Sequence, residues 1–228
     1  MAASAAERTP RKSRDLILRV VSALVLAPPV LAALWFGFPW IDLLVALAAP
    51  IMVMEWLGMT RGRPLARALG LVYVLCALVG LLFVRHQPDF GRETVIWIVA
   101  CVWATDIGGY VVGRSLGGAK LAPRISPGKT WAGLTGGMAW AAVASALCGW
   151  IFGRGDFWTL ALLGAAFGAV GQAGDLFESH AKRRAGIKDS GRIIPGHGGV
   201  LDRVDGLMAV IVVVAVARLT LGGTWPWT

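Results

Sequence analysis

The sequence predicts an all-α fold: a polytopic helical membrane protein of about seven transmembrane helices, with its N-terminus in the cytoplasm. Three observations predict it. Of the 228 residues, 57% are hydrophobic and only 15% are charged, where a soluble domain carries about a quarter charged residues. The apolar residues come in long blocks without the alternation of a membrane β-barrel. The basic residues gather on one side of those blocks.

Seven stretches are long enough for a bilayer core of about 30 Å, which takes roughly 20 helical residues. They lie near 16–36, 39–59, 66–84, 94–113, 131–152, 157–177 and 206–222. Pro28-Pro29 should kink the first, and Pro50 interrupts the second. Residues 1–15 read as a basic cytoplasmic tail, and 16–228 as one transmembrane catalytic domain with cytoplasmic loops near 114–130 and 178–205. The first span is too long for a signal-peptide core and lacks a small-residue cleavage site.

With the N-terminus inside, 18 of the 22 Lys and Arg fall in cytoplasmic segments, and only Arg85, Arg92 and Arg154 fall outside. That bias also accounts for the net charge of +9 without invoking nucleic acid. Cys76, Cys101 and Cys148 sit within apolar runs at no metal-ligand spacing, so neither a disulfide framework nor a zinc site is expected. Small residues recur at four-residue spacing in Gly109, Gly113 and Gly117, in Gly133 and Gly137, and in Gly164 and Gly168. Such stripes let helices approach closely in lipid and would permit a homodimer.

Nearly all the polar chemistry falls in two loops on the cytoplasmic side. In the second, Asp175, Glu178, Ser179 and Lys182 stand at i, i+3, i+4 and i+7, which is one face if the sixth helix continues past the bilayer. An acid at that depth is costly and marks a functional or paired site. Asp202 and Asp205 at i, i+3 suit the positive end of a helix dipole, so capping alone would explain one of them. Directly upstream come His197, Gly198 and Gly199, whose backbone could turn amides toward an anion, and Lys188 adds a donor. Carboxylates beside bases and bare amides belong together if a hard divalent cation such as Mg²⁺ sits on the acids and bridges to phosphate oxygens. The first loop offers Ser126, Lys129 and Thr130 at a helix start, where free amides favour anions. It lacks the upstream glycine of a phosphate loop, so a basic contact with anionic lipid is the plainer reading of that loop alone. Asp106, inside the fourth span, either ligates a cation or pairs with a basic neighbour.

Ser179-x-x-Lys182-Arg183, Lys188-Asp189-x-Gly191 and Pro195-x-His197-Gly198-Gly199-x-x-Asp202-Arg203-x-Asp205 together resemble the signature of the phosphatidate cytidylyltransferases, also called CDP-diacylglycerol synthases. Upstream, "WATDIGGYVVGRSLGGAKLAPRISPGKTWAG" is similar to the same family's Trp-x-x-Asp to Lys-Thr-Trp segment, and "MEW" at 54–56 also looks familial. Ala181, Gly109 and Ala132 depart from the pattern, standing for a larger aliphatic residue, an alanine and a glutamate. The resemblance runs from Arg14 to the end and is strongest over 103–206. One or two N-terminal spans of longer relatives are expected to be missing.

The resemblance implies transfer of CMP from CTP to phosphatidate, yielding CDP-diacylglycerol and pyrophosphate, with Mg²⁺. On that reading Asp175, Asp202, Lys188 and Asp205 are catalytic. Asp175 and Asp202 hold Mg²⁺, with Asp106 and Asp205 in subsidiary positions or on a second cation. Ser126, Lys129, Thr130, Ser179, Lys182, Arg183, His197, Gly198, Gly199 and Arg203 bind phosphates. The expected setting is a bacterial inner (plasma) membrane with the site facing the cytoplasm, membrane lipid as surroundings and no nucleic acid. Two rivals are a CTP-dependent lipid kinase of polyprenol or phytol type, which would leave phosphate and not CMP on the lipid, and an anion transporter. The transporter would need charge spread through several spans at mid-depth, and here charge is concentrated in two loops.

Overall fold

Helix placement follows the apolar blocks closely. The computed structural model describes residues 8–227, with side chains from Val21 onward except Ala23. Seven helices appear: α1 Arg8–Phe36, α2 Trp40–Met59, α3 Pro64–Arg85, α4 Gly91–Leu116, α5 Trp131–Phe152, α6 Phe157–Arg184 and α7 Leu201–Leu221. Six of them, α2 to α7, are long and apolar enough to cross a membrane, while α1 contributes the shorter apolar stretch Leu24–Phe36. The protein is an integral membrane protein. The basic tail expected over 1–15 cannot be followed as such: residues 1–7 lie outside the described residues, and α1 already begins at Arg8. Both α1 and α2 run through their prolines.

Local chemistry sets several helix ends. Pro64 occupies the first turn of α3, where its missing N–H is no loss. Thr130 caps α5 by accepting from the Gly133 amide at 3.0 Å, and Asp156 caps α6 by accepting from Thr159 at 2.8 Å. That amide bond holds the exposed Asp156 carboxyl below its ordinary range. The sequence-predicted loop 114–130 contains a small antiparallel hairpin, β1 Lys120–Ala122 with β2 Ser126–Thr130.

Glycines bring α4 and α5 into backbone contact. A Cβ on Gly133 would lie 2.9 Å from the Gly109 carbonyl oxygen, and one on Gly137 would lie 2.8 Å from that of Thr105. Gly164 similarly admits Ala141 and Ser145 of α5 against α6. The small-residue stripes are therefore consumed within the chain, which removes them as support for a homodimer. Gly117 is no part of a stripe; it ends α4 with φ +62° and its amide bonded to Gly113.

The bundle has two polar ends. At one, the segments around 60–63, 120–130 and 185–200 meet: Arg63 donates to the Arg184 carbonyl, and Arg183 to that of Ile125 at 3.2 Å. At the other, Arg218 is buried at 2% exposure. It donates to the Asp89 carbonyl at 3.1 Å and to Thr94 Oγ1 at 2.6 Å, and Trp227 Nε1 reaches the same hydroxyl at 2.9 Å. Trp97, fully buried, stacks edge-on against Trp225 and Trp227 there. Arg218→Leu is expected to destabilise the bundle by about 3 kcal/mol, because it strands buried acceptors. A thermal melt in detergent, showing a drop of several degrees, checks this.

Candidate active site

The hairpin, α4, α5 and α6 enclose an open cleft of about 550 Å³, within the range of small-molecule sites. Asp106, Ser126, Lys129, Thr130 and Asp175 line it, as does a second set of polar side chains, Tyr110, Arg114, Lys120 and Gln172. The α4 helix supplies Asp106 and Arg114, the hairpin Lys120 to Thr130, and α6 Gln172 and Asp175. The continuation of α6 to Arg184 puts Asp175 and Ser179 on one face, as the i, i+4 spacing predicts. Ser179 Oγ donates to Asp175 Oδ1 at 3.1 Å, and Lys129 Nζ stands 2.5 Å from Asp175 Oδ2. Asp106 lies within electrostatic reach of Asp175, Lys129 and Arg203, and Asp205 within reach of both Asp175 and Asp106.

Asp202, expected to share a cation with Asp175, is not among the residues that line the cleft. Its Oδ1 accepts from Lys182 Nζ at 2.6 Å, and its Oδ2 accepts from the Ser190 and Gly199 amides, each at 2.8 Å, with the Ser190 hydroxyl 2.9 Å away and shared with Glu55. These contacts join the 188–199 segment to the first turn of α7.

The glycine segment expected to cradle an anion makes its own backbone contacts. The amides of His197 and Gly198 both donate to the Ile194 carbonyl, at 3.0 and 3.1 Å, and that of Gly199 serves Asp202. Gly198 has φ +87°, and a Cβ there would come 2.8 Å from Asp202 Oδ2, so the tight turn depends on glycine. The His197 ring contacts Ser22 of α1, Nδ1 to Oγ at 2.6 Å. Lys182 is buried and bridges Asp202 and Glu178, the latter at 3.1 Å. Arg183 is spent on the carbonyls of Ile125 and Ile187. Lys188 and Arg203 remain exposed.

The expected residues thus separate into a cleft group and a loop-holding group. The cleft residues missed in sequence, Arg114 at the end of α4 and Lys120 in β1, both fall in the basic stretch 114–130, and that shared charge is the signal that could have found them. Gln172 carries no such mark beyond standing one turn before Asp175.

Among the described residues, no three or more His, Cys, Asp or Glu side chains form a cage for a metal ion. Mg²⁺ seldom needs one: it takes one or two carboxylates and fills its octahedron with water and phosphate oxygens. Asp106 and Asp175 fit that donor set, and the Lys129 ammonium drawn against Asp175 shows where positive charge is favoured. Asp106 and Asp175 therefore share the cleft with Arg114, Lys120 and Lys129, a mixture of hard oxygen donors and bases whose chemistry suits a polyphosphate.

The family model described as "Cytidylyltransferase family" matches residues 63–221. A protein named phosphatidate cytidylyltransferase from Brucella suis biovar 1 (strain 1330) is 46% identical over 169 residues, covering 74% of this chain and 61% of the relative. Proteins of the same name from Rickettsia bellii (strain RML369-C) and Pseudomonas aeruginosa (strain PAO1) are 36% and 42% identical, covering 87% and 74% of this chain and 88% and 62% of theirs. The chain therefore spans about three fifths of the length of the Brucella relatives it matches.

Proposed function

The chain belongs to the Cytidylyltransferase family, and from that premise we propose that it transfers CMP from CTP to phosphatidate, releasing pyrophosphate and leaving CDP-diacylglycerol in the membrane. The observation that carries this reading is the Lys129–Asp175 pair, set beside Asp106 in a basic cleft at one end of an apolar bundle. Such a place suits one water-soluble polyanion and one lipid-borne anion.

In the proposed reaction a phosphate oxygen of phosphatidate bonds to the α-phosphorus of CTP, and the bond from that phosphorus to the bridging oxygen of the β-phosphate breaks. The attacking oxygen is already ionised near neutral pH, so no strong general base is required. What the chain contributes is position and charge. Lys129 turns from Asp175 to the arriving phosphates, and Arg114 and Lys120 neutralise the triphosphate. Ser126 donates its hydroxyl to a phosphate oxygen. Arg203, exposed near Asp106, meets the lipid phosphate. Asp106 and Asp175 would hold Mg²⁺, which supplies charge neutralisation on the triphosphate when bound. Asp205 stands behind them. Lys182, Asp202, Gly198 and Gly199 act one step removed, by holding the loop. Lys188 and His197 stand at that loop's surface and toward α1.

The bias of basic residues to one side supports a cytoplasm-facing cleft, and bacterial relatives support an inner-membrane location. The testing experiment uses the purified full chain with Mg²⁺, phosphatidate and CTP labelled either in the cytosine ring or at the γ-phosphate. Cytosine label is expected in the lipid fraction with matching pyrophosphate release. Lipid labelled only from the γ-phosphate would instead establish a lipid kinase.

A further inference from the structure

Glu55 is a carboxylate in the apolar helix α2, and it is only 6% exposed. A buried acid at this depth is costly unless its oxygens are filled. No cation fills them among the described residues. Glu55 Oε1 accepts from the Val200 amide at 3.0 Å, and Oε2 from the Leu201 amide at 2.9 Å and the Ser190 hydroxyl at 3.1 Å.

Val200 and Leu201 open α7, where a helix leaves its first amides without internal partners and carries its positive dipole end. The local cap position, Val200, offers no side-chain acceptor. Glu55 therefore does from another helix what an Asp or Ser would do from within the chain. The single proton of the Ser190 hydroxyl lies between Glu55 Oε2, at 3.1 Å, and Asp202 Oδ2, at 2.9 Å, and is shared by the two carboxylates. Space has been left for it: a Cβ on either Gly191 or Gly199 would overlap the Glu55 carboxylate.

The geometry points to Glu55 as a positioning residue, a remote cap that clamps the first turn of α7 and the 188–200 segment against the cleft. That turn carries Asp202, Arg203 and Asp205, so its placement sets where Arg203 and Asp205 stand relative to Asp106 and Asp175. Glu55 is not among the cleft-lining residues and precedes the segment 63–221 that the family model matches. The inference rests on the cytidylyltransferase reading for its catalytic consequence, but not for its structural one.

Two variants test it, Glu55→Ala and Glu55→Gln, the second keeping shape and one carbonyl acceptor should the first fold poorly. Amide hydrogen exchange without nucleotide is expected to rise about tenfold or more within 188–203 and to stay unchanged over α4 and α5, as for a local opening. In the cytosine-label assay, turnover should fall about a hundredfold for Glu55→Ala. It should fall less for Glu55→Gln, with the KM for CTP within about threefold of the parent because the hairpin wall is untouched. Unchanged exchange in 188–203, an even rise through all helices, or unaltered turnover beside a local rise would each overturn the proposal. A parent protein that carries no cytosine label into lipid would overturn the functional reading instead, and the exchange pattern would still decide whether Glu55 holds the segment.

Discussion

Replacing Asp175 by alanine is expected to lower the proposed cytidylyl transfer by about a thousandfold while leaving the bundle folded. Asp175 is the meeting point of the cleft: Lys129 lies on one oxygen, the Ser179 hydroxyl on the other, and Asp106 and Asp205 are within electrostatic reach. Its side chain is 31% exposed, so truncation opens no sealed cavity and the melting temperature should barely move. If Asp175 also holds a hard cation, Asp175→Cys should be poor with Mg²⁺ and partly restored by Mn²⁺ or Cd²⁺, since thiolate favours softer ions. Turnover of Asp175→Ala within about tenfold of the parent would remove Asp175 from the chemistry.

Asp202→Ala should have the next largest effect, by a different route. Its carboxylate is 4% exposed and accepts from Lys182 and from the Ser190 and Gly199 amides, so truncation leaves those two amides without their acceptor and Lys182 with Glu178 alone. Loss of one partner from a buried ion pair costs about 3 to 5 kcal/mol. Activity is expected to fall about a hundredfold as the 188–199 segment loosens. Limited proteolysis should show new cleavage there, and no change of divalent ion should restore turnover. The contrary outcome is equally readable. A variant with a protected loop and unchanged melting temperature, but needing far more Mg²⁺ for half-maximal rate, would return Asp202 to the role of cation ligand.

The spans were legible because a bilayer imposes a length and a polarity that no tertiary detail overrides; α6's run past its apolar block to Arg184 meets the condition under which Asp175 and Ser179 share a face. The hairpin was not legible. Its strands are three and five residues long, and the second contains Pro127 and Gly128, which read locally as turn. In the site, residue types and the loops that bear them were readable, and the division of labour was not. Asp175 and Asp202 look alike in one dimension. Which of them faces solvent is decided by Ser190, Gly199 and Lys182 arriving around Asp202, and these contacts depend on how the loop closes. Glu55 left a readable trace as a lone acid between Met54 and Trp56, yet its partners lie about 145 residues away, beyond the reach of any periodicity.

The length of α6 has one more consequence. Its 28 residues make a rod of about 42 Å, against a hydrocarbon layer of about 30 Å. With Phe157 at one boundary of that layer, Asp175 falls about 27 Å along, close to the other. On the proposed reaction, a phosphatidate anchored in that leaflet can present its phosphate there with its acyl chains still among their neighbours, and the product departs by sideways diffusion. Turnover on the proposed reaction should then follow the mole fraction of phosphatidate in a mixed micelle, and should change little when more micelles of the same composition are added.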